Sequence, residues 1–357
     1  MMDLGEIEKL PICFIVGKGR SGTTLLQTML DANSNVVFPI ESRFVVHLKV
    51  KYSKIPSWTE NVVDEMIVDL FKDKDFAMYW NLEPATIKTN IMQHDMSRMT
   101  FASACKIIYL SYPSPFPKSR ILLIGDKNPS HTLLLKELNE VFPEARYIHL
   151  VRDFRDNIVS NKQVFKRQSI TLLATGWNAY NKLIEAAKKQ RPQKFYTLRY
   201  EDLVKDPERY VAEVCTFLGL KFQKEMMSFH EKMAEIKEEK YTAEITAIHP
   251  NIVKPVNTDQ VNKWQKYLSD EQLKVVDQIC SAEGKKYGYN AVSGANVIVM
   301  VRELIAGIRI HIDFAVIRTY YRMPFMIRDA IRAISRGLYK IFRFSTYYNQ
   351  GDFRFKK

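Results

Sequence analysis

Cysteine is scarce in this 357-residue chain: Cys13, Cys105, Cys215 and Cys280 stand far apart, with no C-x-x-C pair. Such spacing argues against a disulfide framework and against a zinc site. No charged-then-apolar leader opens the chain, so no signal peptide is expected and a reducing cytoplasm is the default location. Repeats and low-complexity segments are missing. The very apolar stretch 297–317 is interrupted by Arg302, Arg309, His311 and Asp313, which is too broken for a transmembrane span.

Acidic residues are in deficit, 40 against 53 Lys and Arg, for a net charge of +13. The imbalance is local. From Val292 to the end there are 12 Lys and Arg against 4 Asp and Glu, a net +8; the first 291 residues carry only +5. With most of the excess in the tail, nucleic acid is not the expected partner. At 46% hydrophobic and 26% charged, the chain has enough apolar surface for one large domain, with or without an appendage.

What organises the chain is Gly17-Lys18-Gly19-Arg20-Ser21-Gly22-Thr23-Thr24. The apolar run Ile12-Cys13-Phe14-Ile15-Val16 leads in, and Leu25, Leu26, Met29 and Leu30 follow with helical spacing. Strand, glycine-rich turn and helix start present backbone N–H groups and a helix N-terminus to an anion. The spacing is that of a P-loop, yet Thr23 stands where an ATPase or kinase has lysine, and the cation comes earlier, at Arg20. An anion other than a magnesium-bound γ-phosphate is expected.

Further strands are read at 36–38, 121–124, 146–151 and 194–198, each followed by a polar cluster. Helices are read near 43–50, 59–72, 85–96, 98–110, 130–141, 155–167, 170–190, 207–218, 259–265 and 270–283, and 243–258 reads as a loop. Strands alternating with helices predict an α/β domain, a central parallel sheet covered on both faces. Ligands of such sheets bind beyond the C-terminal strand ends, where the clusters sit. The helical block 43–118 interrupts the sheet strands and is expected to shape an acceptor pocket.

Taken together the clusters are specific. Arg20-Ser21-Gly22-Thr23-Thr24 opens the first helix. Val151-Arg152-Asp153 ends a strand, with Ser160 eight residues after Arg152, about two helical turns. Arg199-Tyr200-Glu201-Asp202 ends the next, and Lys254-Pro255-Val256-Asn257 precedes Lys263-Trp264. Over roughly residues 10–290 this resembles the sulfotransferases that use 3′-phosphoadenosine 5′-phosphosulfate (PAPS), most of all the tyrosylprotein branch and its bacterial relatives.

The resemblance implies a P-loop-like three-layer sandwich, with PAPS as co-substrate and no metal. It implies that Arg20 faces the sulfuryl group, and that Ser21, Gly22, Thr23 and Thr24 hold the 5′-phosphosulfate. Glu41 matches the general base and Lys127 a catalytic lysine. Arg152 and Ser160 match the 3′-phosphate grip and Tyr200 a nucleotide contact, while Lys254, Asn257 and Lys263 match a late nucleotide-closing segment. Two positions depart: Ile248 replaces a serine six residues before Lys254, and Val164 replaces a second arginine after Ser160. Members of the tyrosylprotein branch are also luminal and disulfide-bonded, of which this chain shows no sign. The departures leave sulfuryl transfer in place and weigh against a tyrosine-peptide acceptor.

Each residue also has a plainer reading. The glycine-rich loop alone is an ordinary turn before a helix. Glu41 alone is a carboxylate at a helix N-terminus, and Asp126-Lys127 a surface pair. Arg152 alone pairs with Asp153 or Asp156, Tyr200 is a core tyrosine, and Lys254 and Lys263 are solvated. His47, His131, His149 and His249 read as structural. A P-loop kinase and a non-enzymatic basic membrane or nucleic-acid binder are the competing functions.

The domain is expected to span 1–291, with a basic helical extension over 292–357. Arg328, Arg332, Arg336 and Lys340 recur every fourth residue and define one helix face, with Met326, Ile327, Ile331, Ile334, Leu338 and Ile341 on others. Such a helix lies in an anionic membrane surface, or packs on its own domain or on a second copy as a homodimer. The expected acceptor is a hydroxyl of a small molecule, lipid, sterol or glycan, met in the cytoplasm or at the inner face of the membrane.

Overall fold

A computed structural model describes residues 2–164, 168–236, 243, 246, 249–293, 299–328 and 330–331. Five strands, β1 (Ile12–Val16), β2 (Val36–Val37), β3 (Leu123–Lys127), β4 (Arg146–Val151) and β5 (Phe195–Arg199), form one sheet in the order β2-β3-β1-β4-β5. Every pairing is parallel, Phe14 facing Asp126 on one side and Tyr147 on the other. β1 is buried throughout and apolar at every position, as a strand covered on both faces must be. Its side chains alternate: Ile12, Phe14 and Val16 join one core, Cys13 and Ile15 the other.

On the Phe14 face lie α1 (Leu4–Lys9), α3 (Phe44–Tyr52), α4 (Glu60–Leu70), α5 (Lys74–Tyr79), α6 (Pro84–Met92), α7 (Phe101–Leu110) and α8 (Leu135–Val141). On the Cys13 face lie α2 (Thr23–Asp31), α12 (Pro207–Leu218) and α13 (Phe229–Glu235). A third cluster joins α9 (Phe154–Val164), α10 (Ile170–Gln190) and α15 (Asp270–Gly284). Short α11 (Tyr200–Lys205) and α14 (Trp264–Tyr267) and the long α16 (Val299–Arg322) complete the helices described. Two layers of helix around a parallel sheet is the expected fold class. All four cysteines are free and buried.

Local chemistry explains the helix ends. Thr59, Asp73, Thr100, Ser169 and Ser269 cap their helices with side-chain oxygens, and Gly219 ends α12 in the left-handed region. Three readings need correction. The third strand runs 123–127 rather than 121–124, so Asp126 and Lys127 lie inside it and are buried, not a surface pair. Asp126 tolerates this because Tyr109 OH donates to its Oδ2 at 2.5 Å and His131 Nε2 lies 2.9 Å from the same atom. The expected helix 130–141 is a 3₁₀ turn, Pro129–Leu133, and then α8, broken at Leu134. Helix α5, capped by Asp73, was not anticipated.

The third correction concerns the tail. Arg328, read as the first residue of an outward basic stripe, is fully buried. Its Nη2 donates to His47 O at 2.8 Å, and its guanidinium lies 4.3 Å from the Phe325 ring centre. Ala306, Ile310, Phe314 and Tyr321 of α16 belong to the core cluster that contains Phe14. Arg332, Arg336, Lys340, Ile334, Leu338 and Ile341 lie outside the described residues, as do Ile248 and the start of the apolar stretch at Val297.

Candidate active site

The C-terminal ends of β1, β3, β4 and β5 lead into Gly17, Asn128, Arg152 and Tyr200, so chain segments far apart in sequence share one rim. The loop after β1 is tight against its neighbours. A Cβ on Gly17 would stand 2.4 Å from Leu150 O. A Cβ on Gly22, whose φ is +91°, would stand 2.5 Å from the Tyr200 ring. Glycine is required at both positions, at Gly22 for conformation and for space.

Arg20 takes a φ of +73°, in the left-handed region that β-carbon sterics disfavour. Two asparagines of α9 steady this turn. Asn157 Nδ2 donates to Gly19 O at 3.0 Å and to Ser21 Oγ at 3.1 Å, and Asn161 Nδ2 donates to Gly19 O at 3.2 Å. Gly17 N donates to Thr132 Oγ1 at 3.2 Å. Side chains thus take up loop carbonyls and hydroxyls, and α2 starts at Thr23 with its N-terminal dipole directed at the same rim.

Thr24, Glu41 and Lys127 meet. Lys127 Nζ donates to Thr24 Oγ1 at 3.1 Å and forms an ion pair with Glu41 Oε1. The Lys127 side chain is 2% exposed and that of Glu41 20%, so the carboxylate is the member open to an incoming group.

Arg20 Nε donates to Ser160 Oγ at 3.2 Å, and its Nη1 lies 3.2 Å from His249 Nδ1. His249 Nε2 is 3.4 Å from Thr24 Oγ1. His249, read from sequence as structural, therefore touches the glycine-rich loop and the start of α2. Nothing in its local pattern marked it. Asn157 and Asn161 did carry a signal, spacing of four on the helix that bears Ser160.

Arg152 is 5% exposed. Its Nη1 donates to Arg20 O at 3.1 Å, its Nη2 to Gln260 O at 2.5 Å, and its guanidinium lies 4.6 Å from the Tyr200 ring centre. Its Nε is buried with no acceptor among the described residues. An orphaned guanidinium N–H is costly, and a phosphate oxygen is the chemistry that satisfies it. Ser160, eight residues after Arg152, accepts from Arg20 Nε, so the helix after β4 reaches the loop after β1.

The segment before α14 closes over Arg152. Asp156, 1% exposed, accepts from Asn262 N at 2.7 Å and Trp264 N at 2.9 Å. Burial pushes its pKa up, against the Arg152 charge and those two N–H groups. Lys263 directly precedes Trp264, half-buried. Asn257 closes its own turn, donating to Pro255 O and accepting from Asp259 N, and Lys254 is exposed. Neither Lys254 nor Asn257 bonds the cluster among the described residues.

Residues 11–224, more than half of the chain, match the sequence model of the sulfotransferase family. The chain belongs to the sulfotransferase family. Among curated members, the omega-hydroxy-beta-dihydromenaquinone-9 sulfotransferase Stf3 of Mycobacterium bovis is 35% identical over 250 residues, 59% of this chain and 63% of that one. Protein-tyrosine sulfotransferase 1 of Danio rerio is 24% identical over 266 residues, 71% of this chain and 66% of that one. The chain thus spans just under two thirds of the length of these sulfotransferases. Among solved structures, the sulfotransferase domain of the Synechococcus PCC 7002 olefin synthase superposes with a TM-score of 0.49 at 22% identity, covering 72% of this chain and 88% of that one. The matched range includes the glycine-rich loop, Glu41, Lys127, Arg152, Ser160 and Tyr200. No group of three or more potential metal ligands occurs among the described residues.

Proposed function

We propose that this sulfotransferase moves the sulfuryl group of PAPS to the hydroxyl of a hydrophobic alcohol and releases adenosine 3′,5′-bisphosphate. The observation that carries the reading is a pair of cationic seats on one rim. One holds Arg20, Thr24 and the Lys127–Glu41 pair, and the other holds Arg152 against Tyr200. A nucleotide phosphorylated at both ends needs two such seats, and the orphaned Arg152 Nε fits the 3′-phosphate.

Chemistry follows from the residue types. A hydroxyl attacks sulfur only as its proton leaves, and Glu41 is the carboxylate placed to accept it. As the new O–S bond forms and the bond to the 5′-phosphate breaks, charge gathers on the departing phosphate oxygen. Lys127, Arg20 and the loop N–H groups face that charge in a fixed geometry. Fixed cations and N–H groups supply the electrophilic help, so the transfer is proposed to need no metal. Ser21, Gly22 and Thr23 shape the 5′ seat, while Lys254, Asn257 and Lys263 are assigned to closure of the late segment over the nucleotide.

A lipid alcohol is the proposed acceptor. The menaquinone-derived substrate named for the 35% identical relative supports it. Such an acceptor resides in a bilayer, and the corresponding location is the cytoplasmic face of the membrane. The domain is proposed as residues 1–291 and the extension as 292–357.

The test is transfer of labelled sulfate from PAPS, in the presence of a metal chelator, to a panel of prenyl, sterol, phenol and glycan hydroxyls. Labelled prenyl or sterol product is expected. Turnover only with ATP and magnesium would replace this reading with the kinase one, and a phenol- or glycan-only product would replace the lipid acceptor.

A further inference from the structure

Helix α16 has two apolar faces, and among the described residues only one of them is covered. Ala306, Ile310, Phe314 and Tyr321 are buried against α10 and α3. On the other side, Val301, Leu304, Ile305, Ile308, Ile312 and Val316 are 40–67% exposed. Spacings of three and four residues, with Leu304 beside Ile305, align these six over residues 301–316 of the helix. Isolated exposed aliphatics are ordinary, but a continuous stripe marks a surface that something apolar covers. No described helix is long and apolar enough to cross a membrane, so a bilayer contact would be lateral.

Charge decides among the possible covers. Arg302 and Arg309 are exposed and border the stripe on one side. Glu303 and Asp313 are half-buried. Three other cations are already committed, Arg318 to Leu133 O, Arg322 to Glu137 and Arg328 to His47. Beyond the described residues, 332–357 adds seven Lys and Arg against a single acid, Asp352. A second copy packed through this stripe would set basic rim against basic rim and add one +8 extension to another. An anionic lipid surface takes up both the apolar arc and the positive border.

We propose that the outer face of α16 is a lateral docking surface for anionic lipid bilayers. Docking there sets the acceptor side of the enzyme at the bilayer. Arg318 Nε of α16 donates to Leu133 O at 3.1 Å, in the 3₁₀ turn that follows β3. The inference stands on the helix and its charges. It holds or fails independently of the nucleotide reading, though it suits the lipid acceptor proposed above.

Vesicle sedimentation with the full chain tests it. Phosphatidylcholine vesicles with 30% phosphatidylglycerol are compared with pure phosphatidylcholine, at low salt and at high salt. The full chain is expected to bind the anionic vesicles at least tenfold more tightly, and to lose that advantage at high salt. Ile308→Glu with Ile312→Glu is expected to weaken binding at least tenfold. Arg302→Gln with Arg309→Gln should weaken it several-fold and flatten the salt dependence. All four side chains are exposed, so an unchanged melting temperature confirms that each variant is folded. Failure of the unaltered chain to bind overturns the proposal. So does unaltered binding by the Ile308/Ile312 variant, which would assign binding to residues 332–357. A concentration-dependent dimer, seen by light scattering and dispersed by the same two substitutions, would make the face a copy-to-copy interface and overturn it as well.

Discussion

Lys127 and Glu41 form an ion pair at the C-terminal edge of the sheet, the lysine at the last position of β3 and the glutamate in the loop after β2. Thr24, in the first turn of α2, accepts from the same ammonium. The proposed base and the proposed charge-stabilising cation therefore hold each other before any substrate arrives. In the proposed reaction, departing phosphate and incoming hydroxyl would compete for the two members of this pair.

Glu41→Gln keeps an acceptor for Lys127 and removes the base. Turnover is expected to fall by roughly 10²–10⁴. Affinity for adenosine 3′,5′-bisphosphate, read by calorimetry, is expected to stay close to that of the unaltered enzyme. Full turnover in this variant would remove Glu41 from the chemistry.

Gly22→Ala places a methyl group into the Tyr200 ring at a φ of +91°. The left-handed backbone costs roughly 1–2 kcal/mol for a residue with a β-carbon, and the overlap adds roughly 1–3 kcal/mol. Thermal unfolding should show a lowered midpoint, and nucleotide binding should weaken because Tyr200 and the loop shift together. A variant with wild-type midpoint and affinity would refute this account of the loop.

Arg152 is expected to read the 3′-phosphate alone. Arg152→Ala should weaken adenosine 3′,5′-bisphosphate by roughly 10–150-fold, the worth of a charge-assisted hydrogen bond of about 1.5–3 kcal/mol. Adenosine 5′-phosphosulfate, which lacks that group, should lose clearly less affinity, only what the missing brace on Arg20 O costs. Arg152→Lys should rescue little, because the fork to Arg20 O and Gln260 O and the stacking on Tyr200 need a planar guanidinium. Equal losses for both nucleotides would mean that Arg152 supports the loop and does not recognise the phosphate.

Acid should destabilise the fold through His149. Burial pushes its pKa down to about 4 from 6.5, against the hydrogen bond to Asn181. The unfolded chain then binds the proton more readily than the folded one. The neutral imidazole's contribution is present above about pH 6.5 and is lost as pH falls towards 4, with a limit of order 3 kcal/mol. Asp153, pushed up to about 6 by burial, has the opposite sign: its contribution is present at low pH and lost as pH rises through about 6. Melting followed from pH 7 to 4.5 should show a shallower acid decline in His149→Gln than in the unaltered protein. Parallel curves would show that His149 does not govern it.

Much of the site was readable in the chain. Arg20-Ser21-Gly22-Thr23-Thr24, Arg152 with Ser160, and Tyr200 each follow an apolar run, and parallel pairing brings the ends of such runs to one rim. Strand β3 was readable only in part. Asp126 and Lys127 are charged, and a periodicity argument ends a buried strand before them. His131 lies five residues on, but the partners Tyr109, Glu41 and Thr24 come from three separate segments, and no local window contains them. His249 has the same difficulty, being 229 residues from Arg20 in the chain.

Residue order alone determined where backbone changes period: apolar runs for strands, Thr, Ser and Asp caps for helices, glycine where a β-carbon would collide or φ turns positive. Those are short-range steric and hydrogen-bonding rules, complete within a few residues. Tertiary structure alone decided which charges are buried and with whom. It drew Arg328 inside against His47, joined Ser160 to Arg20, and left Ile308 and Ile312 facing outward while Ile310 went in. The cost of desolvating a side chain depends on everything packed around it, and that is settled only when distant segments meet.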